Sequence, residues 1–450
     1  MIKIKKTKLC RLIFLALLTF TVIFNGGYSD LSIQFNFLGI STLFFFLLIE
    51  KNYLAHFQVI FKKNKLAIYL FLIFLIFLIF QILPMPIELI KLLSPMKYDI
   101  LNSLEFDSNY TSISLDPSNS FFNFLNYFSL FLYLIIFKSI FYKNSHIINF
   151  YYYLTLLGAV TSSIAVYFYL IGNPSFLFID NLAYKSSATG FFINRTVFSC
   201  FLVLSLFCGI EYLKNSKMYS KNDINSFFKK IYLRIFILLI TIGIITSFSR
   251  LGNFLFISLM IIYVIQSLYF SNKKNMIFLY TLLFIVLFDV LLLGYYFGLE
   301  KLLTRYSFLI ADISGYMGIS TESNLSRAKF SYFALSEFKN FLFFGYGAGA
   351  FEYLFNLRYE DLSYHYTIHS HSDLSEFLGE LGLIGFSLIS LSIFYLFIKN
   401  NTLNFKNLLL IYLLFFILIF DFSFHVPIIQ LMFIILLSIN LNNNKIINKF

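Results

Sequence analysis

Tryptophan is absent from the 450 residues, cysteine occurs only three times, and charged residues make up 12% of the chain against 59% hydrophobic. An ordinary soluble domain carries about 25% charged and about 45–50% apolar residues, so the scarcity of charge excludes a water-soluble globule. Cys10, Cys200 and Cys208 all lie inside apolar runs, with no pair in a polar loop. That placement argues against a disulfide framework and a cysteine-ligated zinc. The missing tryptophan removes one marker of a membrane interface. Beside 63 Phe and 32 Tyr, however, it matches the usage of an AT-rich coding genome and excludes nothing structural.

What the chain has instead is a series of apolar runs. A helical crossing takes about 20 mostly apolar residues. Runs of that kind lie near residues 12–24, 31–49, 66–83, 121–141, 150–171, 191–213, 233–247, 251–270, 277–297, 374–398, 408–424 and 427–441. The first, seventh and twelfth are short and need flanking polar residues to complete them. The basic N-terminus leads into the first run, and Asn25, Gly26, Gly27 and Tyr28 make a poor cleavage site, so this run is read as a retained helix. With a cytoplasmic N-terminus, about two thirds of the 34 basic residues fall on the cytoplasmic side, the positive-inside asymmetry. The net charge of +12 therefore describes orientation rather than a nucleic-acid partner, and both termini are expected inside.

The expected fold is an all-α integral membrane protein of about twelve transmembrane helices. It divides into a nine-helix portion over 1–298, a large outer loop over 299–373 and a three-helix portion over 374–450, all one membrane domain. A polar segment as long as that loop is usually functional or disordered, and its aromatics and glycines argue for order. The basic residues left on the outer side run against the positive-inside bias: Lys91, Lys97, Lys185, Arg195, Arg250, Lys301, Arg305, Arg327, Lys329, Lys339 and Arg358. Each invites a reason.

The strongest constellation is Ile368-His369-Ser370-His371-Ser372-Asp373-Leu374-Ser375-Glu376. Ser370 and Asp373 have the spacing of a capping box, which predicts a helix start with His371 in its first turn. The helix dipole there favours neutral imidazole, the form a general base requires. Arg195, in Asn194-Arg195-Thr196, and Arg250, in Ser247-Phe248-Ser249-Arg250, fall at the outer ends of helices. Arginine at a helix centre costs about 2.5–3.5 kcal/mol on insertion scales, less near the ends, and is kept for function. Either arginine alone is equally a residue snorkelling to lipid headgroups. Two arginines and a histidine at one interface form a sharper pattern, suited to a lipid-linked diphosphate that guanidinium groups grip bidentately.

Three other features carry less. Gly345-Tyr346-Gly347-Ala348-Gly349 lacks the Lys-Ser/Thr of a phosphate loop and reads as a turn allowing close backbone packing. Asp289 is an ionisable group inside the ninth run with no partner that can be named. His365, His369, His371 and Asp373 match no metal-ligand spacing. No metal and no cofactor are expected, since arginine can neutralise phosphate charge in a metal's place.

In order along the chain, Gly190-Phe-Phe-Ile-Asn194-Arg195, Ser247-Phe-Ser249-Arg250, Arg327 followed by Gly345-Tyr-Gly347-Ala-Gly349-Ala-Phe351, and His371 through Glu380-Leu-Gly382-Leu-Ile-Gly385 resemble the motifs of the O-antigen ligase and polymerase family of bacterial membrane glycosyltransferases. The resemblance implies a GT-C-like membrane fold with a large periplasmic loop between helices 9 and 10. It also implies inverting, metal-independent transfer of a glycan from undecaprenyl diphosphate to an acceptor hydroxyl on the periplasmic face of the inner membrane. The implied roles are His371 as base or acceptor-positioning residue, Arg195 and Arg250 as diphosphate binders, and Arg327 at the same anionic site. Ser372 stands where many members have Asn, and Ser375 where many have Leu.

The leading expectation is a ligase joining an O-antigen-like glycan to lipid A core in lipopolysaccharide biosynthesis. A polymerase extending a growing surface polysaccharide on its carrier lipid and a transferase onto protein differ only in acceptor. A transporter of the lipid-linked sugar is the reading from another class. It predicts polar groups along a midplane path on interrupted helices with related halves, where an enzyme predicts convergence at one outer cleft.

Overall fold

The computed structural model describes residues 2–105, 108–175, 184–219, 224–269, 327–359, 367–399 and 404–439, together with positions 280, 283, 284 and 287. In chain order the helices are α1 (Ile2–Ile23), α2 (Asp30–Ile49), α3 (Lys51–Lys63), α4 (Lys65–Ile82), α5 (Ile87–Leu93), α6 (Pro95–Ser103), α7 (Pro117–Ile140), α8 (Asn144–Leu170), α9 (Arg195–Tyr219), α10 (Ile224–Thr246) and α11 (Arg250–Tyr269). They continue as α12 (Arg327–Asn340), α13 (Phe351–Arg358), α14 (Asp373–Lys399), α15 (Phe405–Phe420) and α16 (Pro427–Ser438). Two short 3-10 turns sit at Asn25–Gly27 and Ser423–His425. Two-residue strands β1 (Met85–Pro86) and β2 (Tyr110–Thr111) pair antiparallel with Met85 opposite Thr111.

Seven described helices are long and apolar enough to cross a membrane: α2, α4, α7, α8, α11 and the main parts of α9 and α14. The runs expected near 12–24, 233–247, 408–424 and 427–441 fall on α1, α10, α15 and α16. The ninth run, 277–297, and Asp289 within it lie outside the described residues but for the four isolated positions, as do most of the large loop, Lys301, Arg305 and His365.

Helices α8, α9 and α10 approach closely because small residues face each other. A Cβ at Gly158 would strike Ser205, one at Gly209 would press on Thr155, and one at Gly243 would overlap Ser162. With almost no difference in apolarity between lipid tails and leucine, such close backbone approach is what holds membrane helices together. α9 ends almost wholly enclosed. α14 packs along α4, with Ser392 Oγ donating to the Ala67 carbonyl at 2.8 Å.

Among the described residues, those of 84–105 and 108–116 pack with α12 and α13 at one end of the bundle. Ile100, Leu115, Phe330, Phe341, Tyr346 and Phe355 form a separate apolar cluster that joins the 84–116 segment to α12 and α13. Lys97, one of the basic residues that ran against the charge bias, is buried in this cap. It donates to the carbonyls of Ser112 and Ser114, each at 2.6 Å, and burial lowers its pKa to about 8. Arg358 is likewise spent on structure, pairing with Glu337 at 3.0 Å.

Candidate functional site

Arg195, Arg250 and Arg327 are each the first residue of a helix, opening α9, α11 and α12. For the first two the cause is local. Asn194 Oδ1 accepts from the backbone N–H groups of Thr196 and Val197 at 2.6 and 3.3 Å. Ser249 Oγ accepts from Gly252 N at 3.2 Å. Asn and Ser are strong N-caps because their short oxygens satisfy donors the helix cannot. An Asn-Arg or Ser-Arg pair therefore caps a helix and places a guanidinium beside its positive end. Helix starts with free N–H groups favour anions, and arginine adds permanent charge. The Arg195 guanidinium lies 5.2 Å from the Tyr184 ring centre.

These helix starts share one end of the bundle. α9 and α11 meet one turn in, where a Cβ at Gly252 would overlap Ser199. Cys200 of α9 lies beside Ser423 and Asp421. Phe254 of α11 packs on Phe416 of α15 at 5.0 Å between ring centres, just before Asp421. Arg327 is near enough for its charge to act on both His371 and Asp421.

His371 does not occupy the first turn of a helix, as the capping-box spacing predicted. α14 begins at Asp373, and His371 sits before it in a left-handed conformation, φ +60°, a region histidine enters more readily than most residues. Asp373 is not free to cap Ser370. Its carboxylate accepts from Phe424 N at 2.7 Å and from His425 Nδ1. Glu376 takes over, its Oε2 accepting from Ser370 N at 2.7 Å. The His371 ring is partly exposed, stacks on Phe330 at 6.1 Å and meets Phe422 edge-on at 5.3 Å. Its Nδ1 is covered and has no hydrogen bond among the described residues. Burial, then the charges of Arg327 and His369, lower its pKa to about 3, so the ring is neutral at pH 7.

Beneath His371 lies a buried network. His369 Nδ1 bonds Glu376 Oε1 at 2.7 Å, and its Nε2 bonds Tyr28 Oη at 2.8 Å. His369 also stacks on Phe422 at 4.7 Å, and His425 stacks on Phe377 at 4.1 Å. His425 Nε2 stands 3.5 Å from Glu376 Oε1 and 3.6 Å from Glu380 Oε2. Burial works against the charged form of His425, but Glu376 and Asp373 outweigh it and hold its pKa well above the ordinary value. Asp373, Glu376, Glu380 and Asp421 are all almost fully buried.

The glycine-rich segment anchors this network from the other side. α14 breaks at Gly382 (φ +61°), and the exposed backbone of the break bonds the segment: Tyr346 N to Gly379 O at 3.0 Å and Gly347 N to Glu380 O at 3.1 Å. Gln81 bridges both, donating to Phe344 O at 2.7 Å and Glu380 O at 2.9 Å. Gly345 (φ +71°) has no room for a side chain, because a Cβ would collide with the Glu380 carbonyl. The close-packing reading of these glycines accounts for them.

With this geometry in place, comparison with known proteins is informative. Residues 235–390 match the family model for O-antigen ligases. Over those residues the chain is similar to the O-antigen ligase family. The match takes in Arg250, Arg327, the glycine segment, His371 and Glu380, and leaves Arg195, Asp421 and His425 outside it. No curated protein matches the chain.

The matched segment is completed by residues from elsewhere in the chain that the motifs do not contain: Tyr28, Gln81, Asp421 and His425. Asp421-Phe-Ser-Phe-His425 carried a signal, two ionisable residues in the short turn between two apolar runs. Tyr28 and Gln81 carried none. Their partners lie 341 and 299 residues away for His369 and Glu380.

Proposed function

We propose that the protein transfers a glycan from undecaprenyl diphosphate to an acceptor hydroxyl, with lipid A core as the acceptor, on the periplasmic face of the bacterial inner membrane. Twelve crossings with both termini cytoplasmic would put the ends where α9, α11, α12 and α14 begin on that face. The carrying observation is the capped arginine repeated at neighbouring helix starts, at the same end of the bundle as a histidine held neutral.

The chemistry follows from charge. The acceptor oxygen attacks the anomeric carbon from the face opposite the diphosphate. The C–O bond to the carrier breaks, and configuration inverts. Arg195, Arg250 and Arg327 stabilise the negative charge that grows on the leaving diphosphate, which costs least when donors are already in place. No metal is needed at the reacting atoms, because three guanidinium groups neutralise that charge. His371 takes the acceptor proton. In the free protein its pKa of about 3 makes it a weak base. A bound diphosphate offsets Arg327 and favours imidazolium, so donor binding strengthens the base.

The arginines and His371 lie at one end of the described bundle, which favours an enzyme over a transporter, whose groups would sit near the midplane. The test is gel and mass analysis of surface glycans from the host after deletion of the gene, complemented with wild type or His371→Ala. Long chains stranded on carrier lipid with bare acceptor support ligation. Single repeats on the acceptor, restored to a ladder by wild type alone, would replace ligation by polymerisation. An unchanged glycan profile would overturn both.

A further inference from the structure

Four carboxylates, Asp373, Glu376, Glu380 and Asp421, are buried within the same few turns, with His369 and His425 among them. Buried charges of one sign are retained when something pairs them. The pairing here is incomplete in a specific place. The His425 side chain is 6% exposed and that of Glu380 is 2% exposed, yet His425 Nε2 and Glu380 Oε1 have no hydrogen bond among the described residues.

Two of the separations at those atoms match the spacing of ligands about an ion. His369 Nδ1, Glu376 Oε1 and His425 Nε2 lie within 4.8 Å of one another. Donors held at 2.0–2.2 Å around a tetrahedral ion are about 3.3–3.6 Å apart. His425 Nε2 stands 3.5 Å from Glu376 Oε1 and 3.6 Å from Glu380 Oε2. The surroundings also have the form of a metal site's outer shell. A ligating histidine is typically oriented by a carboxylate on its other nitrogen, and Asp373 holds His425 Nδ1 in that way. Tyr28 Oη occupies the far nitrogen of His369, where a hydroxyl can serve either tautomer.

We propose that His369, Glu376, Glu380 and His425 form a closed, four-ligand site for a divalent transition-metal ion of the zinc class, seated beneath the turn that carries His371. Two imidazoles with two carboxylates favour zinc, manganese or iron over magnesium and calcium, which prefer all-oxygen sites. The ion takes the place of two protons, the one that His369 Nδ1 shares with Glu376 and the one that His425 Nε2 carries while the carboxylates keep its ring charged, and both are released as it binds. His369 Nδ1 and Glu376 Oε1, now 2.7 Å apart, separate by less than an ångström to admit it, and the widest pair of the group, within 4.8 Å, closes toward about 3.6 Å. With every position filled by protein, the ion is structural. It ties α14 to the 421–425 turn and leaves the transfer proposed above free of metal at the reacting atoms. Metal content is read without reference to glycan transfer, so either reading can fail alone.

The experiment is elemental analysis of the full chain, purified in detergent without a polyhistidine tag, with thermal unfolding followed before and after chelator. The expected result is about one zinc-class ion per chain, lost on chelation with a fall in Tm, and regained on adding zinc but not magnesium. Glu380→Gln and His425→Gln should each abolish stoichiometric binding, while Glu211→Gln, at the opposite end of the bundle, retains it. A chain with no bound metal and a Tm indifferent to chelator and zinc would overturn the proposal. So would stoichiometric metal that persists in both site variants. If His425→Gln fails to fold, the near-isosteric Glu380→Gln and the chelated wild type still decide.

Discussion

Where α9 ends, Glu211 is bonded through both carboxylate oxygens, accepting from Tyr263 Oη at 2.9 Å and Asn215 Nδ2 at 3.0 Å, with Lys214 at 3.9 Å. Nearby, Lys406 Nζ donates to the carbonyls of Leu436 and Ile439 at the close of α16, where a cation also suits the helix dipole. Where α9 begins, four buried carboxylates crowd together, and His371 Nδ1, His425 Nε2 and Glu380 Oε1 have no hydrogen bond among the described residues. Both ends bury charge, which costs several kcal/mol per ion unless it is well paired. At one end Glu211 and Lys406 are each bonded, although Tyr151 Oη beside Glu211 has no hydrogen bond among the described residues. The other tolerates a shortfall, together with a left-handed His371 and a helix broken at Gly382. Strain and unmet polar groups are tolerated at functional sites, and among the described residues the two coincide around His371.

Variants at the two ends should separate activity from stability. The largest effect belongs to His371→Ala. Loss of a positioned general base lowers the rate by about 10²–10⁴-fold, while binding of lipid-linked donor persists. Loss of donor binding in a membrane-bound assay would recast His371 as a binding residue. Next, Arg250→Lys keeps a charge but gives up the bidentate fork. An activity loss of about 10–100-fold is expected, short of the 10²–10³ for removing a donor outright. Its abundance in the membrane should be unchanged, and full activity would remove Arg250 from the mechanism.

Which parts of this were legible in the sequence follows from the range of the interactions. Apolar runs report on local burial, so the long helices were readable, whereas α5 and α6, short and mixed in composition, were not. The arginines were readable because Asn194-Arg195 and Ser249-Arg250 are local devices, a cap and a charge in adjacent residues. The register of the His371 turn was misread because Asp373 is claimed by Phe424 and His425, 51 and 52 residues away. With Asp373 occupied, the capping contact to Ser370 passes to Glu376. Spacing cannot report a competitor for the same carboxylate. Glu376 and Glu380 follow Asp373 at positions three and seven on one helix face, and that stripe was visible. What it faced was not.

At the well-paired end, Glu211→Gln leaves Tyr263 and Asn215 with a poorer partner and should cost about 1–3 kcal/mol, read as a lower Tm in detergent. Transfer per folded molecule should stay at the wild-type level. A loss of specific activity as large as that of the arginine variant would erase the distinction between the two ends.

The smallest effect is the pH dependence that His371 imposes. Its folded pKa of about 3 lies below the ordinary 6.5, so between those values the unfolded chain binds a proton the native state refuses. Stability then rises with pH across that window. The penalty is absent above pH 6.5 and grows as the pH falls toward 3. His371→Asn removes the titrating ring and suits the left-handed backbone, since Asn tolerates that region well. The variant and the wild type should have similar Tm at pH 7.5, with the variant increasingly the more stable on acidification to pH 4.5. Parallel Tm curves across that range would mean that His371 is not held neutral by its surroundings. His371 would then be a stronger base in the free protein, able to take the acceptor proton without help from the carrier diphosphate.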